Sequence, residues 1–463
     1  MMMEADLPWK DELHEECGVV GCYGVEGAAL QACQALMSLQ HRGQQGCGIA
    51  TFDAGTLHLH KGAGLVREVF GGKELSELPG TAGIGHVRYP TTEVGGAENL
   101  QPFRLTGKTG MFALAHNGNI VNADSIRARI EAMGHLLRST SDSELFAILV
   151  GMGSQGWTEN ILSAVHQLDG AFSTVILTPD ALYACRDKYG LRPLSVGRLG
   201  NGWIVASETC ALEFIGAEFV RDIEPGELVR IDAEGIRSFF HSRSSDRVMC
   251  SMEYIYFARP DSEIEGCGVH AFRKRTGALL WSEHPVEADL VMCIPESGMS
   301  AAIGYAEASG LPLEMGLLKN MYVARTFIQP SQALRDIGVR MKLSPVRSIV
   351  NGKRLVVIDD SIVRGTTSRQ IVQLLRSAGA REIHMRIASP VYAWPCFYGI
   401  DTGTRDQLIG ARMDVESIRA FIGADSLHYL SVEALSEAAG GRRLCTACFD
   451  GRYPTDLYGH EDA

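Results

Sequence analysis

From residue 355 to 358 the chain reads Leu-Val-Val-Ile, an unbroken apolar run that predicts a buried strand. Two adjacent carboxylates, Asp359 and Asp360, follow at once. They open a short loop that also holds Arg364, Gly365 and the hydroxyls of Ser361, Thr366 and Thr367. Beyond it Ile371, Leu374, Leu375 and Ala378 recur at helical spacing until Gly379 supplies a stop. Ile383, Met385 and Ile387 then alternate with polar residues, the period of a further strand. The segment reads as a βαβ unit whose ligand crevice lies beyond the carboxyl end of its first strand, at Asp359 and Asp360. Near the start of the chain, the acidic pair Glu15 and Glu16 gives way at Cys17 to another apolar, strand-like run.

The loop chemistry suits a phosphorylated sugar. Backbone N–H groups of residues 364–368, at a helix start, match a phosphate, and the two aspartates match ribose hydroxyls or a hydrated divalent metal. Neither G-x-G-x-x-G nor G-x-x-x-x-G-K-[ST] occurs in the segment, which speaks against dinucleotide and Walker-type loops. The simpler alternative is an ordinary βα turn with two solvated aspartates. Residues 319–354 carry eight Lys or Arg and one acid, Asp336, so a basic segment leads into the motif. It reads either as a solvated face or as an electrostatic lid over the site.

At 463 residues the chain holds two or three domains, and 46% hydrophobic with 21% charged residues makes it globular throughout. A net charge of −12 argues against a general binder of nucleic acid or membrane surfaces. The N-terminal residues lack the basic start and apolar core of a secretion signal, and no stretch approaches the ~18 apolar residues of a membrane span. A cytoplasmic setting is expected. Its twelve cysteines then serve as core residues, nucleophiles or metal ligands, with Cys22, Cys33 and Cys293 read as core.

Residues 355–367 resemble the 5-phosphoribosyl 1-diphosphate (PRPP) motif of the type I phosphoribosyltransferases. A second resemblance covers about residues 17–240, carried by EECGVVGCYG around Cys17, HRGQQGCGI from His41, GIGHVRYPT from Gly83, AHNGNI from Ala115 and STSDSE from Ser139. Together these are similar to the N-terminal-nucleophile glutamine amidotransferases. The resemblance implies cleavage between Glu16 and Cys17, with the freed α-amine as general base. An α-amine of pKa ~7.7 to 8.0 is well placed to take the proton of a thiol near ~8.5. It also implies an oxyanion hole from Asn117 and the Gly118 N–H, with Arg88 on the α-carboxylate of glutamine and Asp142 on its α-ammonium.

The two motifs in one chain resemble the amidophosphoribosyltransferases, which begin purine synthesis by converting glutamine, PRPP and water to 5-phosphoribosylamine, glutamate and diphosphate. That resemblance covers nearly the whole chain and implies ammonia channelled between two sites. It implies Mg2+, one per subunit, at Ser297, Asp359 and Asp360, and a 5′-phosphate held by Arg364, Gly365, Thr366, Thr367 and Ser368. Residues 319–347 would close over the diphosphate. Four further cysteines lie in contexts similar to the iron–sulfur branch: Cys250 in CSMEYIYFARPDS, Cys396 in PCFYGIDT, and Cys445 and Cys448 in CTACFDGRYPT. Spacing alone allows zinc or a cluster equally. The resemblance implies one structural 4Fe-4S cluster per subunit. It also implies feedback inhibition by purine nucleotides and a homotetramer.

Several positions depart from that pattern. Met321 and Ala324 stand for the usual Arg and Gly of KNRYVGRTF, Glu296 for an Asp, residues 91–93 read TTE where TAG is usual, and Cys47 replaces alanine. These keep two alternatives open: a regulatory paralogue that binds PRPP or nucleotides with little or no synthesis, and an ammonia-dependent transferase with a silent glutaminase. The expected fold combines α+β and α/β units. After a propeptide at 1–16 comes an N-terminal-nucleophile αββα sandwich at 17–245, followed at 246–463 by a type I phosphoribosyltransferase doubly wound parallel sheet with a cluster-binding tail.

Overall fold

The computed structural model describes residues 17–89, 96–243, 247–320, 343–402 and 404–460. Two antiparallel sheets form the first unit. The seven-stranded sheet runs Glu218–Asp222, Ser195–Leu199, Gly202–Ala206, Gly18–Tyr23, Ala82–Arg88, Gly46–Asp53 and Thr56–Ala63. The six-stranded sheet runs Gly235–Phe240, Glu227–Asp232, Leu182–Arg186, Gly170–Leu177, Met111–Ile120 and Phe103–Thr106. Strands covered on both faces must be apolar at successive positions, and each neighbour goes to a different core. Val19, Ile84, Ala113, Ala115 and Val175 fill the space between the sheets. Val20 and Val87 face the helix Ala28–Ser38, while Leu114 and Ile176 face the helices Asp142–Met152 and Trp157–Val165. The result is the expected αββα sandwich.

The second unit is built on four parallel strands in the order Leu290–Cys293, Arg354–Asp359, Glu382–Ile387 and Ser426–Tyr429. Val356 and Ile358 pack with the helices Val269–Glu283, Met299–Ser309 and Val432–Ala438 on one face. Leu355 and Val357 pack with Thr366–Ser377 and Val415–Ile422 on the other. The strand expected from alternation at 383–387 is there, but His384 and Arg386 are buried as well as their apolar neighbours. Inside, His384 Nδ1 pairs with Ser426 Oγ at 3.0 Å, and Arg386 donates to the His284 carbonyl at 3.1 Å, while His384 Nε2 has no hydrogen-bond partner among the described residues.

Strand Gly235–Phe240 is the last of the sandwich, and the next, Met249–Cys250, pairs with Leu444–Cys445 of the tail. The tail also returns to the sandwich, where Tyr458 Oη donates to Asp169 at 2.7 Å. The expected lid falls largely on residues 321–342, outside the described residues, as do Met321, Ala324, Glu93 and 1–16. Its flanks, Leu317–Lys319 and Leu343–Pro345, pair antiparallel. The last cations of the basic run do not join the loop. Lys353 and Arg354 lie at the opposite end of the strand from Asp359, about 17 Å away at ~3.3 Å per residue, and Arg354 is paired with Asp289.

Candidate active sites

Cys17 stands immediately before strand Gly18–Tyr23, whose register sets Gly18 against Val87. Arg88, next along, is therefore Cys17's neighbour, and the two interact electrostatically. Burial lowers the pKa of the Arg88 guanidinium, and the Cys17 and Glu98 charges partly restore it. The Cys17 thiol donates to the Tyr89 carbonyl at 3.6 Å, and Arg42 Nε donates to the Cys17 carbonyl at 3.1 Å. Gly43 lets the 40–45 turn lie against this strand, since a Cβ there would stand 2.7 Å from the Arg88 backbone.

The facing sheet supplies Asn117 and Gly118. His86 pairs through Nε2 with the His116 carbonyl at 3.2 Å, tying the two sheets together within two residues of both Arg88 and Asn117. Asn117 is 1% exposed, and neither its amide nitrogen nor its oxygen has a partner among the described residues. An orphaned buried polar group costs about 1–3 kcal/mol, so one retained intact points to a ligand. At Gly118 φ is +138°, and a Cβ would lie 2.0 Å from the Ala171 carbonyl oxygen, so only glycine fits. Asp142 begins helix Asp142–Met152 and accepts the Ile120 N–H at 2.9 Å, fixing the end of the Asn117 strand while its side chain stays 18% exposed.

Behind these groups lies a buried polar layer. Gln101 accepts the His116 N–H at 2.7 Å and donates to Ser143 Oγ at 3.2 Å, while His116 Nδ1 meets the same hydroxyl at 2.9 Å. Burial pushes His86 down to about 3 from 6.5 and also lowers His116. Both are neutral when folded and take up protons on unfolding below pH 6.5, so stability must fall as pH drops from 6.5 toward 3. From His86 alone, urea denaturation should show about 2 kcal/mol less stability at pH 5 than at pH 7, and His86→Gln should flatten that slope. A slope unchanged in His86→Gln would refute this assignment.

In the second unit, Asp359 closes its strand and its Oδ1 accepts the Asp360 N–H at 3.0 Å. Asp360 accepts from Ser361 Oγ at 2.7 Å and from the Ser297 side chain. Ser297 arrives from the loop after Leu290–Cys293, the adjacent strand, with Cys293 opposite Ile358. Desolvation raises the Asp360 pKa, against the pull of Ser297, Ser361 and the Arg273 guanidinium. Gly365, with φ +80°, precedes helix Thr366–Ser377; Ser368 is buried, and Thr366 Oγ1 is buried without a partner among the described residues. Arg364 is turned to Gln407, 3.0 Å away, and Glu296 is exposed.

The four distant cysteines come together. Cys250 and Cys445 stand opposite one another in their two-stranded ladder, and Cys448 follows on Ala447–Asp450. Cys396 Sγ accepts the Tyr398 N–H at 3.3 Å. Burial raises the Cys448 thiol far above its usual range, and Cys445, Cys250 and Cys396 add to this in that order. Among the described residues no three His, Cys, Asp or Glu side chains are placed to hold a single metal ion. Four soft sulfurs thus lie near one another on three segments, a donor set whose chemistry suits zinc or an iron–sulfur cluster. Cys22, Cys33, Cys47 and Cys293 are buried.

Sequence reasoning assigned no role to Arg42, Arg192, Glu208 or Glu253, all buried at the seam between the units. Arg42 and Glu253 sit in motifs already noted, HRGQQGCGI and CSMEYIYFARPDS, but charges of that kind are ordinarily exposed. Their signal is a tertiary one.

Residues 86–214 match a family model described as a glutamine amidotransferase domain. Over 96% of this chain and 95% of the relative, the sequence is 51% identical to an amidophosphoribosyltransferase of Bacillus subtilis. A solved structure of glutamine PRPP amidotransferase from B. subtilis, complexed with ADP and GMP, superposes with a TM-score of 0.91 at 50% identity, covering 96% of this chain and 98% of that one. A second, described as the allosteric regulatory enzyme of purine biosynthesis, gives a TM-score of 0.92 at the same identity and covers 97% of that chain.

Proposed function

This chain belongs to the amidophosphoribosyltransferase family, and from that premise we infer how its own residues divide the reaction. The overall conversion takes glutamine, PRPP and water to 5-phosphoribosylamine, glutamate and diphosphate, the first step of purine synthesis. In the sandwich, the Cys17 thiol attacks the side-chain amide carbon of glutamine and passes its proton to the α-amine exposed by loss of residues 1–16. The developing oxyanion is received by Asn117 Nδ2 and the Gly118 N–H, while Arg88 and Asp142 hold the two charged ends of the amino acid. As the tetrahedral adduct collapses, the protonated α-amine returns its proton to the leaving nitrogen, the C–N bond breaks, and ammonia departs to leave a thioester that water cleaves to glutamate.

In the second unit, ammonia attacks C1 of PRPP as the C1–O bond to diphosphate breaks. Residues 364–368 hold the 5′-phosphate at the helix start, with the Thr366 hydroxyl, unpartnered among the described residues, as one donor. Ser297, hydrogen-bonded to Asp360, together with Asp359 and Asp360 offers hard oxygens that would hold Mg2+, which when bound supplies charge neutralisation at the diphosphate. Cys250, Cys396, Cys445 and Cys448 fit a 4Fe-4S cluster, which would staple the junction to the tail. In this reading the chain works in the cytoplasm, where thiols stay reduced. Purine nucleotides bind as inhibitors, in keeping with the ADP and GMP held by the B. subtilis relative. The exposed Phe214, Phe219 and Val220, along the edge strand Glu218–Asp222 and the helix before it, offer an apolar face for a homotetramer.

The observation that carries the glutaminase assignment is the buried Asn117 amide, without a partner among the described residues, beside a position only glycine can occupy. Asn117→Ala should lower kcat for glutamine about 10²–10³-fold with little change in KM, the usual cost of an oxyanion donor. Synthesis from ammonium salts and PRPP should be unaffected; equal loss of both activities would refute the assignment. The remaining proposals meet in one preparation. Anaerobically purified protein should show the mass of residues 17–463, about four iron and four sulfide per chain, and a fourfold assembly mass. Zinc in place of iron, or an intact N-terminus in active protein, would overturn the corresponding part.

A further inference from the structure

Four charged side chains with no solvent exposure meet where the two units join: Arg42, Arg192 and Glu208 of the sandwich and Glu253 of the second unit. Arg42 is central. Its NH1 donates to Glu208 at 2.7 Å and to Glu253 Oε2 at 3.0 Å, its NH2 to Glu253 Oε1 at 2.6 Å, and its Nε to the Cys17 carbonyl. Arg192 reaches Glu253 at 3.4 Å and also donates to the Tyr398 carbonyl. The next residue, Gly399, packs so closely on Gly118 that a Cβ would stand 3.2 Å from the Gly118 carbonyl carbon. Asn119 Nδ2 donates to the Phe397 carbonyl at 3.0 Å on the same seam. The oxyanion strand is thus touched directly from the second unit, and the nucleophile is linked to that unit through Arg42.

Glu253 is itself held firmly. It opens the segment Glu253–Phe257; the Tyr254 carbonyl within it accepts Arg273 Nε at 2.7 Å, and the carbonyl of Ala258, the residue after it, accepts Arg273 NH2 at 2.8 Å. Arg273 belongs to helix Val269–Glu283 and interacts electrostatically with Asp360, so the same arginine faces both the PRPP loop and this segment. Buried ion clusters of this kind stabilise weakly compared with apolar packing, which calls for a different reason to retain them.

We propose that Glu253 is a positioning residue for glutamine hydrolysis: by holding Arg42 against the Cys17 carbonyl, it sets the nucleophile's backbone relative to Asn117 and Gly118. The second unit completes the first site, and hydrolysis is competent only when the two are docked. Attack requires the thiol within a few tenths of an ångström of its productive position, whereas substrate capture by Arg88 and Asp142 does not depend on the Cys17 backbone. The effect therefore belongs in kcat. This inference rests on Cys17 being the nucleophile.

The test uses full-length Glu253→Gln, beside wild type and Cys17→Ala, assayed for PRPP-saturated glutamine hydrolysis and for synthesis from ammonium and PRPP. Glu253→Gln should lower kcat for glutamine about 10–100-fold, with KM within about threefold and ammonium-dependent synthesis within about twofold. An unchanged kcat, or a change confined to KM, overturns the proposal. Should Glu253→Gln lose both activities, Arg42→Lys decides, because it keeps the charge toward both glutamates but lacks the Nε donor to Cys17. A selective fall in kcat in Arg42→Lys then supports positioning; retained hydrolysis or joint loss of both activities overturns it. Hydrolysis that survives in Cys17→Ala refutes the nucleophile assignment itself, a result distinct from any pattern in the other variants.

Discussion

Cys17→Ala is expected to lower glutamine-dependent synthesis by at least ~10⁴-fold while synthesis from ammonium and PRPP stays within about twofold of wild type. The asymmetry follows from the architecture. The thiol stands at the head of strand Gly18–Tyr23 in the sandwich, whereas Asp359 and Asp360 end a strand of a separate parallel sheet with its own two cores. Alanine removes the attacking atom and leaves the Cys17 carbonyl that Arg42 grips, so the seam is preserved. Glutamine should still bind through Arg88 and Asp142. Calorimetry that detects glutamine binding without turnover would confirm this division, and loss of both nitrogen sources together would contradict it. The same pair of assays addresses the regulatory-paralogue and silent-glutaminase alternatives, which wild-type turnover of glutamine and PRPP would exclude.

Asp360→Asn should produce the reciprocal pattern. Synthesis should fall by about 10²–10³-fold with either nitrogen source, since one of the carboxylates proposed to face metal and diphosphate is gone. Glutamine hydrolysis without PRPP should persist. Folding should not suffer. Burial raises the Asp360 pKa, meaning that the folded protein disfavours its ionised form, and the neutral amide keeps the shape that Ser361 and Ser297 bond. The thermal midpoint should therefore be unchanged or higher at neutral pH. A variant that keeps synthesis would show that the diphosphate lies elsewhere, and one that loses its midpoint as well would show that Asp360 is structural.

The parts of the site that were legible in the sequence are those where chemistry sits beside a strong local pattern. The run 355–358 with its carboxylates, the helix ending before Gly379 and the strand at 382–387 are all present, because apolar runs and glycine stops act over a few residues. The basic run behaves differently. Its charges are contiguous in sequence, yet a strand carries Arg354 about 17 Å from the loop, so proximity along the chain did not become proximity in space. His384 and Arg386 misled in the opposite sense, since alternation marks polar positions but does not reveal which of them the second face also covers.

What the amino-acid sequence determined by itself was the order of two units, their secondary structure and the residue types each reaction needs. All of these are written in local periodicity and in short motifs whose members lie within a few residues. Tertiary structure alone decided what meets across long separations: His86 with His116, Ser297 with Asp360, Cys250 with Cys445, and Arg42 with Glu253, 211 positions apart. The physical reason is burial. A charge or amide inside the protein needs a partner whose identity is set by how sheets and helices pack, and no periodicity along the chain encodes that choice.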